Sequence, residues 1–329
     1  MKKLVIYKKL PEPLLIPLHR RFDTTYFEDI DAGNQSAFAA AVRDAHGLLG
    51  ASVSIGRALL EPARQLTAIS TISTGTDSFD IDYLTERGIL LSNTPDAPTE
   101  TTADTIFALM LATARRVVEL AEFVQAGEWK GSIDAALYGV DVHSKMLGIL
   151  GMGRIGRAVA RRARLGFDMN ILYYSRGPVP SAEAEFAARL LPLDQVLAQS
   201  DFVCVTLPLT PATHKLIGAR EFALMKPSAI FINGARGSIV DEPALIEALR
   251  NGTLRAAGLD VFEHEPLAAD SPLPAMKNVV ALPHIGSATH ETRFAMAQLA
   301  ADNIVAALEG VPQNVVNRAA LAKRATSST

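Results

Sequence analysis

The chain has 329 residues and a formal net charge of −3, and 49% of its residues are hydrophobic while 20% are charged. This composition is typical of globular proteins with well-packed cores, and the length suggests two domains. Acidic and basic residues are interspersed, which excludes the clustered basic face of a nucleic-acid-binding protein. No apolar run approaches the roughly 20 residues that span a bilayer. The single cysteine, Cys204, and an N-terminus unlike a signal peptide favour a reducing, cytoplasmic location.

Short apolar segments alternate with amphipathic helical patterns, which predicts an α/β fold with doubly wound parallel sheets. The strands predicted first lie at residues 4–7, 47–49, 66–69 and 89–91. One long helix is predicted over residues 99–126. The later predicted strands lie at residues 146–150, 170–174, 202–205, 229–232, 256–259 and 279–281. A last long helix is expected over residues 288–308, and the small polar residues after Asn317 favour a disordered tail.

A glycine-rich turn follows the predicted strand 146–150. The sequence GMGRIG at residues 151–156 lies between this strand and a helical pattern, which is the context of a dinucleotide-binding turn. Gly151 permits the tight turn, Gly153 lets a pyrophosphate approach the backbone, and Gly156 lets the helix pack on the strand. The N-terminus of the helix would bind the phosphates through its backbone N–H groups. A glycine turn in a Rossmann-like domain that binds no nucleotide is the alternative.

The position of this turn in mid-chain predicts the domain organisation. A dinucleotide-binding domain usually begins with the strand before the glycines, so the preceding residues belong to another domain. We predict two Rossmann-like domains, the cofactor domain being inserted into the substrate domain. Residues 1–99 and 287–329 would form the substrate domain, and residues 100–286 the dinucleotide-binding domain. Such an arrangement would create a cleft with a hinge.

The end of the next strand indicates which cofactor is bound. A carboxylate there would bind the ribose hydroxyls of NAD and repel a 2′-phosphate. This chain has Ser175 and Arg176 instead, which can donate a hydrogen bond and pair with a phosphate dianion. We therefore predict that NADP(H) is preferred and that NAD(H) is the weaker cofactor. The alternative is that Arg176 is a solvated loop cation.

Three side chains that suit hydride transfer to a keto acid follow predicted strands in the second half of the chain. Arg236 could bind a carboxylate through two hydrogen bonds, and His284 could give a proton to the developing alkoxide. Glu265, if paired with His284, would favour the protonated imidazolium. Each residue alone has an ordinary interpretation as a surface cation, a core histidine or a solvated acid. Their shared position at the carboxyl ends of strands favours a common site.

Five segments carry a resemblance to a known family: STGTD at residues 73–77, GMGRIG at 151–156, NGARG at 233–237, GLDVFEHEP at 258–266 and PHIGS at 283–287. With them the chain resembles the D-isomer-specific 2-hydroxyacid dehydrogenases, and within that family the glyoxylate/hydroxypyruvate reductases and 2-ketogluconate reductases. The resemblance extends over about residues 40–317. The serine and arginine at positions 175 and 176 depart from its NAD-using members, which have an acid there.

The resemblance implies a role for each matching residue. His284 would be the general acid/base, Glu265 its partner and Arg236 the anchor of the substrate carboxylate. Asp260 would hold the nicotinamide carboxamide. Backbone N–H groups in the segment Ser73, Thr74 and Gly75 would bind the same substrate carboxylate. The further cofactor-binding positions are Thr102, Arg154, Ile155, Leu207, Pro208, Thr213, Ala235 and Gly286. The family also implies a homodimer joined through the cofactor domains and no metal.

The predicted reaction is the NADPH-dependent reduction of a 2-keto acid to the D-2-hydroxy acid. The candidate substrates are 2-ketogluconate, hydroxypyruvate and glyoxylate, and residues 52–54 and 73–76 would set the substrate size. Two alternatives stay open on the same scaffold. One is a corepressor-like protein that senses NAD(P), and the other is a phosphite dehydrogenase.

Overall fold

The computed structural model describes residues 1–327 of the chain, which divide into two compact units. Unit 1 contains Met1–Pro98 and the residues from Ala288 onward, and unit 2 contains Thr99–Ser287. These limits differ by one residue from the predicted domain boundaries. Unit 2 is therefore a continuous segment that interrupts the sequence of unit 1.

Unit 1 is built on a five-stranded parallel sheet of order β2-β1-β3-β4-β5. Its strands are β1 (Lys3–Ile6), β2 (Asp23–Tyr26), β3 (Gly47–Gly50), β4 (Ala68–Thr71) and β5 (Leu90–Ser92). Its helices are α1 (Glu12–Arg21), α2 (Gln35–Arg43), α3 (Arg57–Leu60), α4 (Ile81–Glu86), α12 (His290–Leu308) and α13 (Arg318–Ser327). Successive side chains of β1 enter two separate clusters of buried residues, so helices cover both faces of the sheet.

Unit 2 is built on a seven-stranded parallel sheet of order β12-β11-β10-β9-β6-β7-β8. Its strands are β6 (Met146–Leu150), β7 (Asn170–Tyr174), β8 (Arg189–Leu190), β9 (Phe202–Val205), β10 (Ile230–Asn233), β11 (Ala256–Leu259) and β12 (Val279–Ala281). Its helices are α5 (Thr99–Ala114), α6 (Val117–Gln125), α7 (Arg154–Phe167), α8 (Pro180–Phe186), α9 (Leu193–Gln199), α10 (Ala219–Leu224) and α11 (Glu242–Arg250). The chain reverses its direction of travel across the sheet between β6 and β9. Ligands bind at such a reversal, beyond the carboxyl ends of the strands.

These two parallel sheets confirm the predicted fold class, but three local predictions were wrong or incomplete. The single helix predicted over residues 99–126 is two helices, because Arg116 adopts a left-handed φ of 54° between α5 and α6. Strands β2 and β8 were not predicted, since β2 is a polar edge strand and β8 has only two residues. The tail predicted to be disordered after Asn317 contains the helix α13. Among residues 1–327, no helix is both long and apolar enough to cross a membrane.

Candidate active site

The glycine turn between β6 and α7 has the close contacts that its sequence predicted. Gly151 has a φ of +104°, and a Cβ atom there would lie 2.9 Å from the backbone nitrogen of Leu207. A Cβ on Gly156 would lie 2.1 Å from the carbonyl oxygen of Gly151. Apart from its chain neighbours and its own helix, no atom of the described residues lies within 4 Å of the Cβ position on Gly153, the N-cap residue of α7. The open side of the turn is thus the side from which a pyrophosphate could approach Arg154 and Ile155 in the first turn of α7.

The segment after β9 borders this turn. The hydroxyl of Thr206 donates a hydrogen bond to the carbonyl oxygen of Gly151 at 2.5 Å. Farther along, the hydroxyl of Thr213 donates to the carbonyl oxygen of Pro208 at 2.7 Å and closes the segment on itself. The structure therefore brings Leu207, Pro208 and Thr213 onto one short segment beside the dinucleotide turn. Thr206 was not predicted as part of the site, although a hydroxyl directly after a buried strand could have suggested it.

Asp260, Gly286 and Thr102 come together at the carboxyl ends of β11 and β12. Asp260 is buried, and its two carboxylate oxygens accept the N–H groups of Ile285 at 2.7 Å and Gly286 at 2.8 Å. A Cβ on Gly286 would lie 3.1 Å from Asp260 Oδ2 and 3.4 Å from Thr102 Cγ2, so this position favours glycine. Burial raises the pKa of Asp260, although the two backbone hydrogen bonds act in the opposite direction. Asp260 thus fixes the loop that directly follows His284, a role that its sequence context did not reveal.

His284 and Glu265 form a direct pair. The Nδ1 atom of His284 lies 2.6 Å from Oε2 of Glu265, and Oε1 of the same glutamate accepts the N–H of Phe262 at 3.0 Å. His284 has a left-handed φ of 54°, which is unusual for a residue with a side chain and occurs often at functional sites. With Nδ1 directed at the carboxylate, Nε2 is the nitrogen left to exchange a proton with a ligand.

The charge on Glu265 is stabilised by its neighbours. Burial alone would raise the pKa of this carboxyl, but hydrogen bonds from His284 and from the Phe262 backbone outweigh it and lower the pKa. The positive charges of His284 and Arg236 act in the same direction. Glu265 is therefore held as an anion against the Nδ1 side of the His284 ring.

Arg236 is carried by a loop whose shape depends on the buried Asn233. Asn233 Oδ1 accepts the N–H of Ala235 at 3.1 Å, and Asn233 Nδ2 donates to the carbonyl oxygen of Arg236 at 3.0 Å. The next residue, Gly237, packs so closely on the Glu265 loop that a Cβ would lie 1.8 Å from the carbonyl carbon of Phe262. The loop carrying Arg236 and the loop carrying Glu265 are thus in direct contact. Sequence reasoning missed Asn233, for which a buried amide at a strand end was the available sign.

The segment predicted to bind the substrate carboxylate in unit 1 follows β4. The hydroxyl of Ser73 donates to the carbonyl oxygen of Gly75 at 2.7 Å, and the hydroxyl of Thr74 donates to that of Thr94 at 2.8 Å. Asn93 Nδ2 donates to the carbonyl oxygen of Thr74 at 2.7 Å. Within residues 1–327, the N–H groups of Thr74 and Gly75 donate to no protein acceptor. The loop is therefore held by its side chains and carbonyl groups while two amides stay available.

In the described part of the chain, no group of three or more His, Cys, Asp or Glu side chains is arranged to hold a metal ion.

Comparison with known proteins agrees with this geometry. Residues 107–286 match the family described as D-isomer specific 2-hydroxyacid dehydrogenase, NAD binding domain, and this match lies within unit 2. The chain belongs to the D-isomer specific 2-hydroxyacid dehydrogenase family. The predicted family is thereby confirmed. The match covers the glycine turn, Arg236, Glu265 and His284, which unit 2 places at the carboxyl ends of its strands.

Individual members of the 2-hydroxyacid dehydrogenase family align over nearly the whole chain. Glyoxylate/hydroxypyruvate reductase B of Escherichia fergusonii is 56% identical over 315 residues, which cover 95% of this chain and 97% of the relative. The structure of an NADPH-dependent glyoxylate/hydroxypyruvate reductase from Sinorhizobium meliloti, in complex with NADP and malonate, is 32% identical. It superposes with a TM-score of 0.81 over 94% of each chain. A glyoxylate reductase from Paecilomyes thermophila is 32% identical with a TM-score of 0.87, over 96% of this chain and 98% of that one.

Proposed function

We propose that this protein is an NADPH-dependent reductase that converts glyoxylate to glycolate and hydroxypyruvate to D-glycerate. The observation that carries this proposal is the His284–Glu265 pair, held at 2.6 Å in a unit that also contains the dinucleotide turn. The names of the relatives at 54–56% identity support the choice of substrates. 2-Ketogluconate is a further candidate substrate of the same chemical class.

The cofactor fits the residues of unit 2. The open space at Gly153 and the N-terminus of α7 suit a pyrophosphate, and Ser175 and Arg176 suit a 2′-phosphate. Thr102, Asp260 and Gly286 would line the nicotinamide end, and Leu207, Pro208, Thr213 and Ala235 the path between. NADPH, when bound, supplies the hydride. NAD(H) lacks the 2′-phosphate and would bind more weakly.

The chain's own residues supply the proton and the charge. Protonated His284 would donate a proton from Nε2 to the carbonyl oxygen as the carbonyl carbon accepts the hydride, so that the aldehyde or ketone carbonyl becomes a hydroxyl group. Glu265 would stabilise the imidazolium and hold its orientation. Arg236 would bind the substrate carboxylate through two hydrogen bonds, and the amides of Thr74 and Gly75 would donate hydrogen bonds to the same carboxylate.

We also propose that the enzyme works in the cytoplasm as a homodimer.

Substrate assays with the purified protein test the proposal. NADPH oxidation is measured with glyoxylate, hydroxypyruvate and 2-ketogluconate, and each assay is repeated with NADH. We expect kcat/KM to be highest with NADPH and one of the first two acids. The product formed from hydroxypyruvate should have the D configuration. Cofactor binding without turnover of any keto acid would contradict the proposal and favour a nucleotide-sensing protein. Phosphite-dependent reduction of NAD(P) would favour the competing enzyme.

A pair of histidine variants tests the proposed proton donor. His284→Ala should lower kcat by about 10²- to 10⁴-fold, because general acid catalysis contributes on that order. NADPH binding, followed by fluorescence, should persist in this variant. His264 is exposed and lies in the same loop as Glu265, so His264→Ala is the matched control and should keep its turnover. Full turnover by His284→Ala would remove His284 from its proposed role.

A further inference from the structure

The loop that follows β7 begins beside the dinucleotide turn. The N–H of Gly151 donates to the carbonyl oxygen of Tyr174, the last residue of the strand, at 2.9 Å. Ser175 and Arg176 come next, and the chain reaches Val179, the residue before α8, only three positions later. Because the near end of this short loop is held by Gly151, the conformation of Ser175 and Arg176 also depends on how its far end is held.

Tyr173 fixes that far end. Its side chain is fully buried in the core, in the same cluster as Ala182 and Phe186 of α8. Its hydroxyl accepts the N–H of Val179 at 2.8 Å and donates to Oε1 of Glu183 at 2.6 Å. One phenol on the strand therefore holds both the end of the loop and the first turn of the next helix.

The two hydrogen bonds of this hydroxyl are not easily replaced. Burial raises the pKa of Tyr173 and the hydrogen bond to Glu183 raises it further, so the phenol stays a neutral donor at physiological pH. Val179 is the N-cap residue of α8 and its side chain makes no capping hydrogen bond. No second hydrogen bond from its N–H is present among residues 1–327. Removing the hydroxyl would leave this N–H unsatisfied and would release the loop from the strand. The main framework of unit 2 would keep its apolar packing, because the phenyl ring stays in place.

We propose that Tyr173 is a positioning residue for cofactor choice, which holds Ser175 and Arg176 in the conformation that binds the 2′-phosphate of NADP(H). This inference rests on the NADP(H) preference proposed above. Tyr173 itself would not touch the cofactor. Its effect should be confined to ligands that carry a 2′-phosphate, whereas a residue that only stabilises the fold would affect all adenine nucleotides equally.

Calorimetric titration with two small ligands separates these cases. Adenosine 2′,5′-bisphosphate carries the 2′-phosphate, and 5′-AMP lacks it. The proteins compared are the wild type, Tyr173→Phe and Tyr7→Phe. Tyr7 is the matched control because it is equally buried, lies in unit 1, and has a hydroxyl without a hydrogen-bond partner in the described part of the chain.

We expect the wild type and Tyr7→Phe to bind the bisphosphate more tightly than 5′-AMP. Tyr173→Phe should weaken the binding of the bisphosphate by about threefold to tenfold, which is the loss expected for one or two hydrogen bonds. Its affinity for 5′-AMP should be unchanged. Glu183 is exposed, so Glu183→Ala tests the same hydroxyl without disturbing the core and should give a smaller loss in the same direction. Glu185→Ala, an exposed neighbour on α8, is its control.

Each other outcome has a distinct meaning. If the wild type does not distinguish the two ligands, the proposed NADP(H) preference is wrong and this inference with it. If the wild type distinguishes them and Tyr173→Phe does so equally well, NADP(H) preference stands and the role of Tyr173 is refuted. An equal loss of affinity for both ligands would mean that Tyr173 only stabilises the fold, and the proposed role would be refuted.

Discussion

Glu265 is held at both of its oxygens, with Oε2 at 2.6 Å from His284 Nδ1 and Oε1 at 3.0 Å from the Phe262 backbone nitrogen. The carboxylate cannot turn toward a different partner without losing one of these bonds. The direction of the His284 ring is therefore set by the loop around residue 262. This arrangement suits a proton donor whose Nε2 must point at the substrate in every turnover.

Replacement of Glu265 by glutamine should show how much the negative charge of this side chain contributes to catalysis. The amide keeps the size of the side chain but no longer stabilises an imidazolium, so kcat should fall by about 10²-fold or more. NADPH should still bind, because the glycine turn is unaffected. Steady-state kinetics and a binding titration on the same preparation measure both quantities. Wild-type kcat in the glutamine variant would show that the charge of Glu265 is not used.

The same variant should change the stability of the protein in acid. The pKa of Glu265 is lowered in the folded state from its ordinary value of 4.5, so the folded protein binds this proton less readily than the unfolded chain. The stabilisation is complete above pH 4.5 and is lost as the pH falls through the lower folded pKa. Urea unfolding at a series of pH values should give a less steep loss of stability between pH 5 and 3 for Glu265→Gln than for the wild type. Parallel curves would contradict the shift.

Strands and turns could be predicted from sequence where neighbouring residues alone determine the backbone conformation. The segments 146–150 and 202–205 are apolar runs buried on both faces, and the structure places strands at both. The close contacts at Gly151 and Gly156 could also be predicted, because a turn of this type has no space for a side chain at these positions. The break at Arg116 did not follow, since nothing in a run of helix-forming residues marks one left-handed position.

Contacts between distant segments were less predictable. The pairing of His284 with Glu265 could be expected because both follow neighbouring parallel strands. The hydrogen bonds that Asp260 accepts from the two amides after His284 could not be expected. A carboxylate at a strand end can equally bind a ligand, a metal or a backbone N–H group. Which of these it meets depends on the path of a loop, and loop paths are set by packing rather than by periodicity.

Gly237 should be intolerant of any side chain. A Cβ there would lie 1.9 Å from the carbonyl oxygen of Phe262 and 2.3 Å from the nitrogen of Glu263, which are rigid backbone atoms. Gly237→Ala should therefore push the Arg236 loop away from the Glu265 loop, destabilise the protein by about 1–3 kcal/mol and lower kcat. Thermal unfolding and steady-state kinetics measure the two effects.

Gly166 supplies the control for this substitution. It lies exposed in α7, and no atom is within 4 Å of its Cβ position. Alanine should there be neutral or should stabilise the helix by up to about 1 kcal/mol. A Gly237→Ala variant as stable and active as Gly166→Ala would show that the two loops can separate without consequence.

Arg176 should distinguish the two cofactors kinetically. Arg176→Ala removes the guanidinium proposed to pair with the 2′-phosphate, so KM for NADPH should rise by about tenfold while KM for NADH changes little. Arg164 is a suitable control, because it is paired with Asp168 at the other end of α7 and its replacement should leave both KM values unchanged. An equal rise for NADPH and NADH in Arg176→Ala would contradict the proposed contact.

Lys215 should couple the cofactor segment to the loop that carries Glu265. Its Nζ lies 2.9 Å from Oε1 of Glu263, and the backbone N–H of Glu263 donates to Oε2 of Glu242 at 2.9 Å. The backbone N–H of Lys215 donates to the carbonyl oxygen of Ser238 at 2.9 Å. Lys215 therefore joins the segments that follow β9, β10 and β11 at one end of the sheet. A shift of one segment would be passed to the others through these bonds.

Lys215→Met should lower kcat by only about twofold to fivefold, since a solvent-exposed ion pair contributes little. The control is Lys226→Met, because Lys226 is paired at 2.7 Å with Asp201, whose other oxygen accepts the N–H of Met146 at the start of β6. This second pair lies at the opposite end of the strands, so its loss should lower the unfolding temperature without lowering kcat. Equal kinetics for both variants would mean that the three segments hold their positions without Lys215, since a general loss of stability would appear in both.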